Sequence, residues 1–490
     1  MNDLQDLELL IHSETPIIYI QSNEEKRISE LVFRLGKRFG KEAFHWSVIG
    51  GLRQFEAKNA IANTENTPDS ALQYVAQNRS PSITVLFDIH PYLDEPVLVR
   101  QLRELANEHQ NNKHTLILVS PRVEIPDELK MLSAFFELSL PNDEEIRAMI
   151  AKESERWGKK NNRRVQAKQE IIDAIVRNLK GLGFSDTKGI IRKLINDDGI
   201  LGDDDIKDAI KAKYETLDSD GVLSFETKTI TFDQVAGLSN LKEWLNYRKK
   251  VFLSEKAPVG LDTPKGLLLL GVQGGGKSLA AKSVAGGWNI PLLRLDFAAL
   301  YNKYYGETER NLRDALKTAE VMQPCVLWID EIEKGLSTDN EGGPSQRVLG
   351  TLLTWMAERD SKVFLVATAN DIESLPPELL RKGRFDEIFF VDLPDHEVRS
   401  VIFKIHLNKR EKPAKNYDLD KLADASDGFA GAEIEQAVVA SIYTSFAKDE
   451  DLTTEHILHE IKNTKPLSVL MAEKIQYLRD WAKERTVPAD

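Results

Sequence analysis

Cysteine is nearly missing from this sequence. Cys325 stands alone among 490 residues, so no disulfide can form within the chain and a four-thiolate zinc site is excluded. The chain reads as one made for a reducing compartment. Long apolar runs are missing too: nothing approaches the ~18 consecutive apolar residues that cross a bilayer, and no membrane span is expected. The opening residues Met1-Asn2-Asp3-Leu4-Gln5-Asp6 are acidic, which fits neither a secretory signal nor an Arg-rich transit peptide. Positive charge is also short. Lys and Arg number 65 against 78 Asp and Glu, a formal net charge of -13, and such a chain is a poor nonspecific binder of nucleic acid or anionic lipid. The one basic stretch, Lys152, Arg156, Lys159, Lys160, Arg163, Arg164 and Lys168, reads as a solvated helix face. Nucleic acid is therefore not the expected partner.

What is present is ordinary for a folded protein: 41% hydrophobic and 29% charged residues. A length prior of ~150 residues per domain gives roughly three units. Between Ile230 and Arg410 short apolar runs alternate with helical patterns: Leu267–Leu270, Leu292–Leu295, Val326–Ile329, Val363–Ala367 and Ile388–Val391. Runs of that length, each followed by an amphipathic stretch, predict a buried parallel sheet with crossover helices, an α/β fold. Beyond Leu393-Pro394 residues 396–410, 418–426, 431–447 and 455–463 read as helices. Tyr477, Leu478 and Trp481 follow at helical spacing and are expected to dock on that helical lid. The acidic, turn-rich segment 196–227 looks like a linker and lacks the closing glutamate of a calcium loop.

Gly271-Val272-Gln273-Gly274-Gly275-Gly276-Lys277-Ser278 follows an apolar strand and opens a helix at Leu279. Glycines let backbone N–H groups close around phosphates, and a helix N-terminus adds a favourable dipole. Lys277 would neutralise phosphate charge and the Ser278 hydroxyl would ligate Mg2+. Val326–Ile329 ends in Asp330-Glu331; two carboxylates at the end of a buried strand are costly unless they have work. Asp330 would hold the metal through water and Glu331 would polarise the attacking water. Asn370, beyond the next strand, could orient that water. Arg381 and Arg384 place two guanidinium groups where they could stabilise a transferring phosphoryl group, often one held by a neighbouring chain.

Together with Ile230-Thr231-Phe232-Asp233-Gln234-Val235-Ala236-Gly237-Leu238 and Gly428-Phe429-Ala430-Gly431-Ala432-Glu433, these motifs stand in the order typical of the AAA ATPases. The resemblance covers about residues 228–470. It implies a phosphate-loop NTPase sheet with a helical lid, and ATP and Mg2+ as cofactors. It also implies Asn370 as sensor and Arg381 and Arg384 as paired arginine fingers acting between subunits. Val235, Ala236 and Gly237 would line the adenine pocket, with Gly271, Gly274, Gly275, Gly276, Lys277, Ser278 and Leu279 around the phosphates and His406, Gly431 and Ala432 touching the nucleotide from the lid. The whole layout resembles the AAA ATPase family of cyanobacteria and algal plastids, which places the protein in the cytoplasm, or in the plastid stroma if the source is algal. Family members mostly carry Pro-Pro-Gly-Thr-Gly within the loop; Val272-Gln273-Gly274-Gly275 replaces it here, and three consecutive glycines are expected to loosen it.

The first half echoes the second. Ile17–Ile20, Thr84–Asp88, Leu116–Val119 and Phe135–Leu140 are candidate strands. Laying Ile17–Ile20 on Leu267–Leu270 without a gap turns Gly271, Gly274, Gly275 and Gly276 into Gln21, Glu24, Glu25 and Lys26, Lys277 into Arg27, and Ser278 into Ile28. Carboxylates where phosphates should sit would repel them. Asp88 matches Asp330, but Ile89 replaces Glu331. The expected organisation is a degenerate AAA-like α/β domain over 1–150, its helical lid-like segment over 151–215, a linker over 216–229, the ATPase core over 230–395, and lid plus C-terminal helix over 396–490.

Tyr304-Tyr305-Gly306 stands where AAA unfoldases carry an aromatic pore loop, and rings offer large, sequence-tolerant contact to an extended polypeptide. The resemblance thus implies a homo-oligomeric ring, a hexamer, that remodels or threads a protein client the sequence does not identify. The alternative is an ATP-dependent regulatory assembly without threading. No His-Glu-x-x-His zinc motif follows, so any degradation needs a separate partner.

Overall fold

A computed structural model of the chain describes residues 3–55, 66–121, 124–217, 221–254, 259–301, 308–336 and 344–490. It divides into two units, Met1–Leu201 and Gly202–Asp490.

In the first unit a six-stranded sheet is built from β1 (Ile17–Gln21), β2 (Glu42–Ser47), β3 (Gly51–Gln54), β4 (Ser82–Phe87), β5 (Thr115–Ser120) and β6 (Ser133–Phe135), in the order β3-β2-β4-β5-β1-β6. All pairs are parallel except the edge pair β2–β3. β2 and β3 are not foreseen from sequence: Glu42–Ser47 mixes polar residues into a half-buried pattern and Gly51–Gln54 has one large apolar residue. β6 lies at 133–135 rather than in the 135–140 run, of which only Phe136 and Leu138 are buried. A small pair, β7 (Gln166–Ala167) and β8 (Ile200–Leu201), ties the helical part of this unit together.

The second unit contains β9 (Leu223–Phe225), β10 (Gly266–Gly271), β11 (Leu292–Leu295), β12 (Cys325–Ile329), β13 (Val363–Ala369), β14 (Glu387–Val391) and β15 (Val487–Pro488), in the order β15-β14-β10-β13-β12-β11-β9. The five apolar runs read from the sequence are all strands, mutually parallel as expected. Read from its β9 edge, this sheet repeats the first: an antiparallel edge strand, then second, third, fourth, first and fifth parallel strands. The echo between the halves is thus an echo of topology. Side chains alternate across the sheet: Leu268, Leu270, Leu327 and Ile329 enter the core on one face, and Leu267, Leu269, Val326 and Trp328 the core on the other. Each such fully buried side chain contributes ~1.5–3 kcal/mol.

Three segments lie elsewhere than expected. The helix Asp203–Leu217, read as the end of the first domain's lid, belongs to the second unit, where Ile210, Tyr214 and Leu217 pack against the sheet core and Lys213 Nζ donates to the Val321 carbonyl at 2.6 Å. β9, within the stretch read as linker, hydrogen-bonds antiparallel to β11. The helix Ala472–Ala482 docks through Leu478 and Ala482 on the sheet core rather than on the lid, and β15 then adds to the sheet beside β14. The lid helices His396–Lys409, Leu419–Ala425, Gly431–Ala447 and Thr454–Asn463 close around their own core of Phe403, Leu407, Ile434, Val438 and Ile457. No described helix is long and apolar enough to cross a membrane.

Candidate active site

At the C-terminal end of β10 the chain turns through residues 272–276 into the helix Lys277–Trp288. Gly274 and Gly276 have φ of +77 and +97, where an L side chain is strained. A Cβ on Gly274 would also press within 3.3 Å of Ala430 at the lid. The loop therefore needs glycine for its shape and for its close approach to the lid, where the Ala432 N–H lies 3.4 Å from the Gly274 carbonyl. Lys277 is buried, and Nζ donates to the carbonyls of Gly271 and Val272, both at 2.8 Å. Burial pushes its ammonium down to about 8, against the pull of Glu333, Asp330 and Glu331.

A cavity of about 1140 Å³ opens over this loop. Of the residues singled out by sequence, Val235, Ala236, Gly274, Gly275, Gly276, Lys277, Ser278, Leu279, Asp330, Glu331, Asn370, His406, Gly431 and Ala432 all line it. Gly271 stands behind it, and Gly237 (φ +63) is wedged where a Cβ would meet Asp490 Oδ2 at 2.5 Å and Val398 at 3.1 Å. Arg381 and Arg384 do not line it. Arg381 is exposed; Arg384 is half-buried, with Nη1 unpartnered among the described residues. Tyr304 and Tyr305 lie outside the described residues.

Polar contacts knit the acids together. Ser278 Oγ lies 3.3 Å from Asp330 Oδ1, and Asn370 Nδ2 donates to Glu331 Oε1 at 2.9 Å. Lys334 pairs with Glu331 as well. Two residues that sequence reasoning missed complete the set. Thr368 bridges Asp330 and Glu331, and Glu333, buried, accepts the Asn370 backbone N–H at 2.9 Å. Burial raises the Glu333 carboxyl above the usual range. Both were open to detection: Thr368 stands two residues before Asn370 on one strand face, and Glu333 is a third acid one helical step past the pair. On the lid side His406 Nδ1 lies 3.4 Å from Glu435, and burial lowers its pKa.

The donor set fits Mg-nucleotide. A glycine loop, a lysine and a helix N-terminus suit phosphates, and one hydroxyl beside one carboxylate is what Mg2+ takes from protein when phosphates supply other ligands. Among the described residues there is no cluster of three or more His, Cys, Asp or Glu side chains arranged to hold a metal on its own.

The corresponding junction of the first unit is filled by protein. β1 reaches its helix, Glu25–Phe39, through residues 22–24 only, so the helix starts two residues earlier than the ungapped register expects. Glu24 Oε1 accepts the Ser185 N–H at 3.0 Å, at the first turn of the helix Phe184–Asp198. Arg27 pairs with Glu24 and Asp3, donates to the Ser139 carbonyl and stacks over Phe184. A carboxylate and a guanidinium thus join core to helical part with no phosphate loop between them. In the basic stretch, Glu153 and Glu155 pair with Arg156 and Lys159, so part of that charge is answered within the chain.

Comparison with known proteins places the site in a class. Residues 267–393 match the ATPase family associated with various cellular activities (AAA), and residues 3–138 and 144–220 match the N-terminal and second domains of SpoVK-like AAA ATPases. The chain is 37% identical over 489 residues to the ycf46 AAA domain-containing protein of Pyropia yezoensis, covering 98% of both chains, and 35% identical to that of Guillardia theta, covering 98% of this chain and 95% of the other. It belongs to this ycf46 family of AAA ATPases. It is also 35% identical over 221 residues to a proteasome-activating nucleotidase of Methanococcus maripaludis, an alignment covering 43% of this chain and 53% of that one.

Proposed function

We propose that the chain is a Mg-dependent ATPase that works as a homo-oligomeric ring, a hexamer, and spends the free energy of hydrolysis on remodelling a protein partner. The observation that carries the reading is one cavity holding the glycine loop, Lys277, Ser278, Asp330, Glu331, Asn370 and three lid residues together. Lys277 would exchange its loop carbonyls for the β/γ-phosphates, and Ser278 and Asp330 would hold a Mg2+ ion, which would supply charge neutralisation there. Glu331, oriented by Asn370, takes the proton of the attacking water. His406, Gly431 and Ala432 touch the nucleotide from a body with its own core, so loss of the γ-phosphate moves the lid. Arg381 and Arg384 do not line their own chain's cavity, which supports the reading that they serve a neighbour's. The likeness to a proteasome-activating nucleotidase favours protein over nucleic acid as the object of the work. Tyr304 and Tyr305 are proposed as the grip on the client, and the plastid stroma or cytoplasm as the compartment. The first unit, its junction self-filled, serves recognition or assembly.

ATP turnover per chain measured against protein concentration tests this. The specific rate should rise with concentration and vanish in Arg384→Ala. A rate that is flat with concentration and insensitive to Arg384 removes the trans-acting ring. In the same preparation Tyr304→Ala should keep turnover and lose remodelling; remodelling that survives the change rules out the aromatic grip.

A further inference from the structure

Thr368 and Asn370 are two residues apart at the end of β13 and its continuation, so their side chains leave the same face of the strand. That face carries Phe364 and Val366 into the core beneath the helix Lys277–Trp288. Thr368 is 1% exposed. Its hydroxyl donates to Asp330 Oδ1 at 2.6 Å and accepts the Glu331 backbone N–H at 3.0 Å. A hydroxyl has both the proton and the lone pairs for such a double role, which a methyl or a thioether lacks.

The peptide it grips is an unusual one. Glu331 has φ +49, a region that L residues other than Asn and Asp seldom enter. The left-handed turn swings the Glu331 carboxylate to Asn370 Nδ2 while Asp330 stays beside Ser278 Oγ. The first unit has a left-handed residue one position earlier after its third parallel strand: Asp88 has φ +53, and its N–H goes to the Val119 carbonyl at 2.8 Å. There the Ser120 hydroxyl accepts the His90 N–H at 3.3 Å, but among the described residues no side chain bridges it to Asp88. In the second unit the hydroxyl that accepts the turn N–H also binds the neighbouring carboxylate.

We infer that Thr368 is a positioning residue for hydrolysis: one buried hydroxyl sets the metal-holding carboxylate of Asp330 and the water-activating carboxylate of Glu331 in register, so that the two acids are placed as a unit. The inference rests on the ATPase reading above. Displacing a catalytic group by ~1 Å costs up to ~100-fold in rate, and that sets the scale of the effect.

The test uses the full chain with Thr368→Val, which keeps shape and removes the hydroxyl, and Thr368→Ser, which restores it. Turnover, KM, equilibrium nucleotide binding, melting temperature and amide exchange at Glu331 are measured for both and for wild type. Thr368→Val should lower kcat on the order of 30-fold, leave nucleotide affinity and melting temperature close to wild type, and speed Glu331 amide exchange. Thr368→Ser should recover kcat to within about threefold of wild type. If Thr368→Val does not fold, Thr368→Ala against Thr368→Ser makes the same comparison. An active wild type with an equally active Thr368→Val overturns the positioning role alone. So does a serine variant as impaired as valine, or losses in kcat matched by losses in affinity and melting temperature. A wild type that binds and turns over no ATP overturns the ATPase reading, and this inference with it.

Discussion

Glu333 shows what a single residue does at this site. Its carboxyl is buried and raised in pKa chiefly by that burial, with one oxygen on the Asn370 N–H and the other unpartnered among the described residues. An amide in place of this carboxyl removes its charge while its oxygen still accepts the same N–H. Glu333→Gln should therefore keep ATP turnover within about threefold, whereas Glu333→Leu should lower it by about tenfold by releasing Asn370 from Glu331. Steady-state assays on the two variants, with melting curves to confirm folding, decide it. At this scale the sequence is informative where chemistry demands a residue type at a fixed spacing. The loop glycines, Lys277, Ser278, Asp330, Glu331 and Asn370 are legible for that reason. Thr368 and Glu333 are ordinary residue types whose role arises only when β12, β13 and the turn after β12 are brought together.

Secondary-structure elements follow a similar division. Fully buried parallel strands announce themselves as apolar runs, and all five in the second unit are legible. So are the lid helices, whose bounds agree with the sequence reading to within a residue or two. Edge strands β3, β9 and β15 are not, being short and defined by their partners, and neither is β2, an inner strand that mixes polar residues into its pattern. The tail is misplaced in the sequence reading because an amphipathic helix shows that it docks, not on what. Elements also carry the pH response of the first unit. His45, at the β2 face, and His109 and His114, around the start of β5, are each lowered in pKa, chiefly by burial. A histidine that binds its proton less tightly folded than unfolded favours the unfolded chain as pH falls. Stability from these three is whole above the ordinary value of ~6.5 and declines below it. Denaturant titrations at pH 7.5, 6.5 and 5.5 should show the transition of the first unit moving to lower denaturant across that window, and a transition that does not move refutes the assignment.

On the scale of the whole molecule, the described residues hold two sheets that share their order of parallel strands, and the sequence has one glycine loop of the phosphate-binding pattern. Both facts bear on stoichiometry: calorimetric titration should find one ATP per chain, and Lys277→Ala should abolish binding altogether rather than halve it. A second site that survives Lys277→Ala would place nucleotide in the first unit, where Glu24 and Arg27 stand. The topology of that unit is legible only in outline, through the candidate strands Ile17–Ile20, Thr84–Asp88 and Leu116–Val119, because these strands carry the apolar pattern while the residues laid on the loop glycines do not.

The shortened turn at 22–24 also says something about descent. If both halves stem from one ancestral ATPase, the first differs in more than catalytic side chains: its helix opens after a turn of three residues instead of five, and a salt-bridged pair occupies the junction. Point substitution cannot retrace that route. Restoring glycines leaves the turn too short, and lengthening it first would set Glu24 and Arg27 adrift from Ser185 and Phe184. The division of labour between the two halves is, for the lineage that carries it, a one-way door.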